Sequence, residues 1–154
     1  MYILSLDPGL NNIGYTIYDN AKKIIIQNSE LTIVEKSLYK KLAVSYDFFL
    51  QLFNTYQFNV LIFEKPTFVN KGASGQNINF NLGTIISLAA TNNCEIYDYA
   101  PKEIKKLSTG NSNADKKIVA EKVAKYFTID NKFSSNHASD SLAVLFCYLL
   151  KTKE

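Results

Sequence analysis

The sequence predicts a single α/β domain over residues 1–154: a mixed five-stranded sheet, three antiparallel strands and then parallel ones, with helices on both faces. Three observations point there. The stretch up to Gln27 holds three strand-like runs joined by short turns rich in Asn and Gly, which favours antiparallel neighbours. Beyond it, apolar runs alternate with segments of helical period, as in crossovers between parallel strands. Two of the apolar runs, "ILSLD" and "VLIFE", stop at an acid.

Taken in order, Tyr2–Asp7, Gly14–Asp19 and Lys23–Gln27 read as strands. From Lys36 to Tyr56, Leu38, Leu42, Tyr46, Phe49, Leu50 and Phe53 recur every three or four positions, which makes an amphipathic helix. Val60–Phe63 is a continuous apolar run ending in Glu64, as in a strand covered on both faces. Residues 65–76, "KPTFVNKGASGQ", have no period and read as a long loop, a kind of segment that is usually functional or mobile. Ile78–Thr91 returns to helix, and Glu95–Tyr99 is the fifth strand. Pro101 suits the first turn of a short helix, where its missing N–H would be unpaired anyway. After the break "STGNSN", Ala114–Phe127 and Ala138–Leu150 read as the last two helices.

Composition bounds the function. Apolar content of 47% and aromatic content of 13% suit a packed core and exclude disorder. No apolar run approaches the ~20 residues of a membrane span. The first residues lack a secretory pattern, since Asp7 interrupts the only candidate. The expected compartment is the cytoplasm. Cys94 and Cys147, far apart and without ligand spacing, read as free buried thiols. The net charge of +3 is mild, but all seventeen basic residues are lysine. Point charges on mobile stems suit a phosphate backbone better than base edges, which favour the guanidinium fork.

Aspartate is depleted in strands, so Asp7 at a strand end needs a reason. Alone, it also reads as a turn-former before Pro8-Gly9, and Glu64 as an ordinary strand-end charge. In open α/β sheets, however, ligands bind outside the carboxyl ends of strands. If the first and fourth strands are neighbours, the two acids meet there, and they repel unless a proton or a cation joins them. A third acid comes from "NHASDSLAV", where His137 and Asp140 share a helix face. His137 also reads as a cap or surface residue, and Asp140 as a helix-start residue. Oxygen ligands converging from three places point to Mg²⁺ or Mn²⁺.

At these residues the sequence resembles the RuvC family of Holliday junction resolvases, which has the ribonuclease H-like fold. The resemblance runs through "LSLDPGLNNIGY", "LIFEKP", "YAPKEIKKLSTGNSNADKKIVAEKVAKYF" and "HASDSLAVLFCYLL", in that order and over nearly the whole chain. It implies a metal-dependent, structure-selective DNA endonuclease that resolves four-way junctions by paired nicks as a homodimer, leaving 5′ phosphates. Asp7, Glu64 and Asp140 would be the metal-binding catalytic carboxylates, with Mg²⁺ and also Mn²⁺ as cofactors. His137 falls where many members have Asp and some have His. It would ligate metal or accept a proton, but a neutral imidazole adds no negative charge.

The loop after Glu64 is longer than usual for the family, in which an aromatic here helps open the junction centre. Phe68 is the first candidate for that wedge and Phe80 the second. The helix Ile78–Thr91, through Ile78, Leu82, Ile85, Ile86 and Ala89, is the expected dimer interface, with core burial as the other reading of those residues. Residues 101–125 hold seven lysines against three acids and flank "TGNSN", whose backbone amides could meet phosphate. Contacts to DNA are expected at Lys102, Lys105, Lys106, Lys116 and Lys117. Five such contacts would give log affinity a slope of about −4 to −5 against log salt.

Three rivals remain on sequence alone. An ATP-binding protein of the actin or sugar-kinase kind also opens with a strand, an Asp and a Gly turn, but needs two lobes and more chain. A non-catalytic junction-binding module would not need all three acids. A less selective nuclease acting on three-way, flap or forked DNA would share every feature above. Any branch-migration motor that docks on the protein is unknown.

Overall fold

The structure, a computed structural model, describes residues 1–67, 72–130 and 132–152. Its elements are β1 (Tyr2–Asp7), β2 (Asn12–Asp19), β3 (Ile24–Thr32), α1 (Leu38–Tyr56), β4 (Phe58–Glu64), α2 (Ala73–Thr91), β5 (Glu95–Tyr99), α3 (Pro101–Thr109), α4 (Lys116–Phe127) and α5 (Asn136–Lys151). The sheet order is β3-β2-β1-β4-β5. β1, β2 and β3 pair antiparallel, whereas β1–β4 and β4–β5 pair parallel. This is the mixed five-stranded sheet expected from the sequence.

Strand alternation sorts the side chains into two cores. Leu4 and Leu6 of β1, Tyr15 and Ile17 of β2, and Leu61 and Phe63 of β4 face α1 and α2, where Phe49, Phe53 and Ile85 close over them. Ile3, Val60 and Ile62 face the opposite way, against Val119 and Val123 of α4 and Leu142 and Leu145 of α5. Asp7 and Glu64 continue the second series, so both belong to the α5 face of the sheet. That placement follows from parity alone.

Several boundaries move. β3 runs to Thr32 instead of stopping at Gln27, because Asn28 to Thr32 pair with Thr16 back to Asn12. Their polarity hid the strand. α2 starts at Ala73, before the expected Ile78, with the polar stretch "ASGQN" forming its first turns. Residues 73–76, expected to be loop, are thus helical. α4 starts at Lys116, since Asp115 is its N-cap and accepts a hydrogen bond from the Lys117 N–H. Ser135 caps α5 in the same way through the Ala138 N–H, which brings Asn136 and His137 inside the helix.

Two expectations are corrected here. Leu82, Ile85 and Ala89 are buried in the core beneath α2, and Ile86 packs against the same cluster, so they do not form an outward dimer surface. The exposed strip of α2 is instead Gln76, Phe80, Ser87 and Ala90. Cys147 is buried and free as expected, but Cys94 is only half-buried, its thiol donating to the Phe58 carbonyl at 2.9 Å.

Candidate active site

The acids meet where three elements end or begin. In the parallel β1–β4 pair, Leu6 stands opposite Phe63, and the next residues along are Asp7 and Glu64. The turn after Asp7 is tightly specified. A side chain at Gly9 would run into the carbonyl of Asn12, and the Asn81 side-chain amide donates to the Gly9 carbonyl at 2.8 Å.

α5 supplies the third side of the site and is fixed by a buried polar cluster. The Ser5 hydroxyl donates to the Ser141 carbonyl at 2.7 Å. The Ser141 hydroxyl lies 2.8 Å from the Thr16 hydroxyl and 2.8 Å from the Ala138 carbonyl, to which it donates. Asn28 donates from its amide to the Thr16 hydroxyl at 2.8 Å and to the Ala138 carbonyl at 2.7 Å. Three strands thus grip the first turns of an otherwise apolar helix. Gly14 completes the seating: it pairs with Asp7 across β1 and β2, and its missing side chain leaves room for the backbone of His137.

The result is a pair of close contacts. His137 Nδ1 lies 2.6 Å from Asp7 Oδ2, and Lys116 Nζ lies 2.6 Å from Asp140 Oδ2. Burial pushes the Asp7 carboxyl up, the hydrogen bond from His137 pulls it down, and the charge of Asp140 adds to the rise. Glu64 is pushed up to about 7, first by burial and then by the charges of Asp7 and Asp140, against the opposing pull of Lys116 and Lys105. The three carboxylates therefore feel one another. Burial lowers the Lys116 ammonium, but its bond to Asp140 and the charges of Asp140, Asp7 and Glu64 outweigh that and hold it above the usual lysine value.

Glu64 lies between two depressions. One, of about 620 Å³, is bounded by Pro8, Lys65, Thr67, Gln76 and Asn79. The other, of about 240 Å³, is bounded by Lys105, Lys116, Pro101 and Asp140. In chemistry the donor set suits a hard divalent cation, which takes carboxylate oxygens, and the mutual repulsion felt at Glu64 is what such an ion would relieve. In spacing, no three His, Cys, Asp or Glu side chains among the described residues form a ready-made cage. Asp7 is engaged by His137 and Asp140 by Lys116.

Asp7, Glu64, His137 and Asp140 are thus brought together, with Lys105 and Lys116 beside them. Lys117 lines a neighbouring groove with Lys132. Lys132 was not singled out in the sequence, because it stands alone between α4 and α5. Lys102 and Lys106 are exposed on α3 and line none of these cavities. Phe68 lies outside the described residues, whereas Phe80 is 56% exposed on α2. Several amides of the "TGNSN" loop are already engaged. The N–H of Asn111 donates to the Thr109 hydroxyl and that of Asn113 to the Asn111 side chain. The Gly110 and Ala114 N–H groups donate to the carbonyls of Lys106 and Asn111. Ser5, Thr16, Asn28 and Ser141 were also missed. Singly they are ordinary polar residues, and only the pairing of distant elements makes them a unit.

The comparisons with known proteins agree with this fold. The solved structure of Thermus thermophilus RuvC superposes with a TM-score of 0.86 at 16% identity, covering 99% of this chain and 96% of that one. The same protein in complex with a Holliday junction substrate gives the same TM-score. The yeast mitochondrial Holliday junction resolvase gives 0.64 at 12% identity, over 98% of this chain and 80% of its own. Among curated relatives, the crossover junction endodeoxyribonuclease RuvC of Thermosipho melanesiensis is 27% identical over 99% of both chains. That of Christiangramia forsetii is 29% identical over 95% of this chain and 78% of its own. The family model described as "Crossover junction endodeoxyribonuclease RuvC" matches residues 3–148, and the chain belongs to that family.

Proposed function

We propose that the protein resolves four-way DNA junctions by paired phosphodiester hydrolysis as a homodimer, with Asp7, Glu64 and Asp140 as ligands of divalent cations. The observation that carries this reading is that Asp7, Glu64 and Asp140, remote in sequence, lie on the α5 side of the sheet, near enough for each to bear on the charge of the others. Mg²⁺ is the proposed cofactor, with Mn²⁺ able to replace it. Held by Asp7, Glu64 and Asp140, such ions would supply activation of a water and stabilisation of the leaving 3′ oxygen, and the products would carry a 5′ phosphate.

The chain's own residues do the rest. His137 fixes the orientation of Asp7 through its Nδ1 contact. Glu64, with burial and two like charges against it, is the acid that gains most from a cation. Lys105 borders the cavity beside Glu64 and would meet the phosphate undergoing attack, with Lys116, Lys117, Lys102 and Lys106 meeting phosphates further along the strand. Phe68 or Phe80 would wedge the junction centre. The exposed strip Gln76, Phe80, Ser87 and Ala90 of α2 is the proposed dimer contact, since paired nicks in a two-fold substrate call for a two-fold enzyme. No helix among the described residues is long and apolar enough to cross a membrane, and we place the protein with its DNA in the cytoplasm.

One feature favours a second reading. A basic surface made only of lysine holds phosphates without bidentate recognition, as a less selective branched-DNA nuclease would. Cleavage of four-way, three-way, flap and linear DNA, with Mg²⁺ and with Mn²⁺, decides between them. Paired nicks confined to four-way DNA are expected, and equal cutting of flaps would favour the second reading. Asp7→Asn should lose cleavage while still binding the junction. Loss of both together would remove Asp7 as a ligand.

A further inference from the structure

Lys116 is the first residue of α4, and its backbone is fixed by the Asp115 cap, which accepts the Lys117 N–H at 2.8 Å. Its side chain is 71% exposed, whereas the Asp140 side chain it contacts is only 16% exposed. The ammonium is therefore the movable member of the pair. Lys116 and Asp140 also form the wall shared by two cavities. One is the 240 Å³ depression beside Glu64. The other is a groove of about 690 Å³ lined by Lys117, Lys132, Phe133, Ser135 and Asn136.

We propose that Lys116 is a resident counter-ion of the acid cluster: it holds Asp140 when no divalent cation is bound, competes with that cation for the carboxylate, and on yielding it turns into the groove beside Lys117 and Lys132, where a backbone phosphate of the DNA strand becomes its partner. The proposal rests on the metal-site reading above. It accounts for a site whose acids suit a cation in chemistry yet form no ready-made cage: one of them is already engaged by an ammonium. Three clustered carboxylates without a counter-charge would repel one another and raise the cost of folding. A lysine supplies that charge and, unlike a buried partner, can leave. Its destination is already basic, so a phosphate entering the groove would draw it there by adding the missing negative charge.

Competition makes an unusual prediction for a basic residue in a nuclease: removing it improves metal binding. Mn²⁺ binding to the full protein without DNA, followed by electron paramagnetic resonance, should be about fivefold tighter in Lys116→Met, the upper end for a half-exposed ion pair. Lys116→Arg keeps the pair and should bind no tighter than wild type. Lys117→Met removes a nearby charge that has no bond to Asp140, and should change affinity by less than about twofold, as expected of screened charges. Equal affinity in Lys116→Met and wild type, or equal tightening in Lys117→Met, overturns the counter-ion role while leaving the metal site standing. Mn²⁺ binding that Asp7→Asn fails to weaken overturns the metal site itself, and this proposal with it.

Discussion

Gly14 makes room for His137: a side chain at position 14 would occupy the space of the His137 backbone carbonyl. Because Gly14 is also the cross-strand partner of Asp7, one absent methyl group decides how closely α5 approaches the first acid.

Gly14→Ala reverses a normal sign. In a strand interior, alanine is ordinarily more stable than glycine by about 0.5–1 kcal/mol. Here the added carbon meets backbone, which cannot swing aside, and the expected result is a loss of about 1–3 kcal/mol in urea unfolding. Cleavage should fall steeply as His137 and Asp140 are pushed from Asp7. A neutral or stabilising effect would show that α5 seats elsewhere.

Glu64 sets a pH dependence. Its folded pKa of about 7 lies above the ordinary 4.5, so the folded state holds the proton more tightly than the unfolded chain does. The stability this contributes is full below about 4.5 and is lost as pH rises through about 7. Chelator-treated protein should therefore be less stable at pH 8 than at pH 5, by on the order of 3 kcal/mol, and Glu64→Gln should flatten the profile. The upward displacement of Asp7 acts in the same direction. A wild-type profile that rises with pH would contradict the assignment.

Asn28 and Ser141 act as one unit in seating α5. Asn28→Ala and Ser141→Ala should each cost about 0.5–1.5 kcal/mol, the net worth of a hydrogen bond, since the Ala138 carbonyl and the Thr16 hydroxyl each keep their other partner. In a double-mutant cycle the pair should cost more than the sum, because only the double variant removes both partners of the Ala138 carbonyl and of the Thr16 hydroxyl. Strict additivity would mean that the two bonds seat the helix independently.

The lysines divide by position. In junction titrations on the Asp7→Asn background, Lys105→Ala should reduce the salt slope by about 0.9, the release expected for one phosphate contact. Lys102→Ala should reduce it less, since Lys102 lines none of the cavities around the acids. Equal effects would spread the DNA over the whole outer face of α3.

The sequence carried the sheet and the acids because both rest on local rules. Apolar runs marked β1 and β4, and parity then put Asp7 and Glu64 on one face. What it missed depends on pairs brought together by folding. The polar end of β3 is a strand because β2 lies beside it, and no period in "NSELT" announces that. Leu82, Ile85 and Ala89 have the spacing of either an interface or a core stripe, and only the position of the sheet chooses between them. The Lys116–Asp140 pair joins the start of one helix to the first turns of another, with nothing in the intervening loop to signal it.

The order in which the three acids occur along the chain has a bearing on synthesis. Asp7 and Glu64 emerge early, on strands that can pair while translation continues, but Asp140 arrives only with α5. A ribosome-held fragment ending before Asn136 carries two of the three proposed ligands and an incomplete pocket, and is expected to leave DNA uncut. On the proposed ligand set, nuclease competence comes only with the final helix, which also seals one of the two cores.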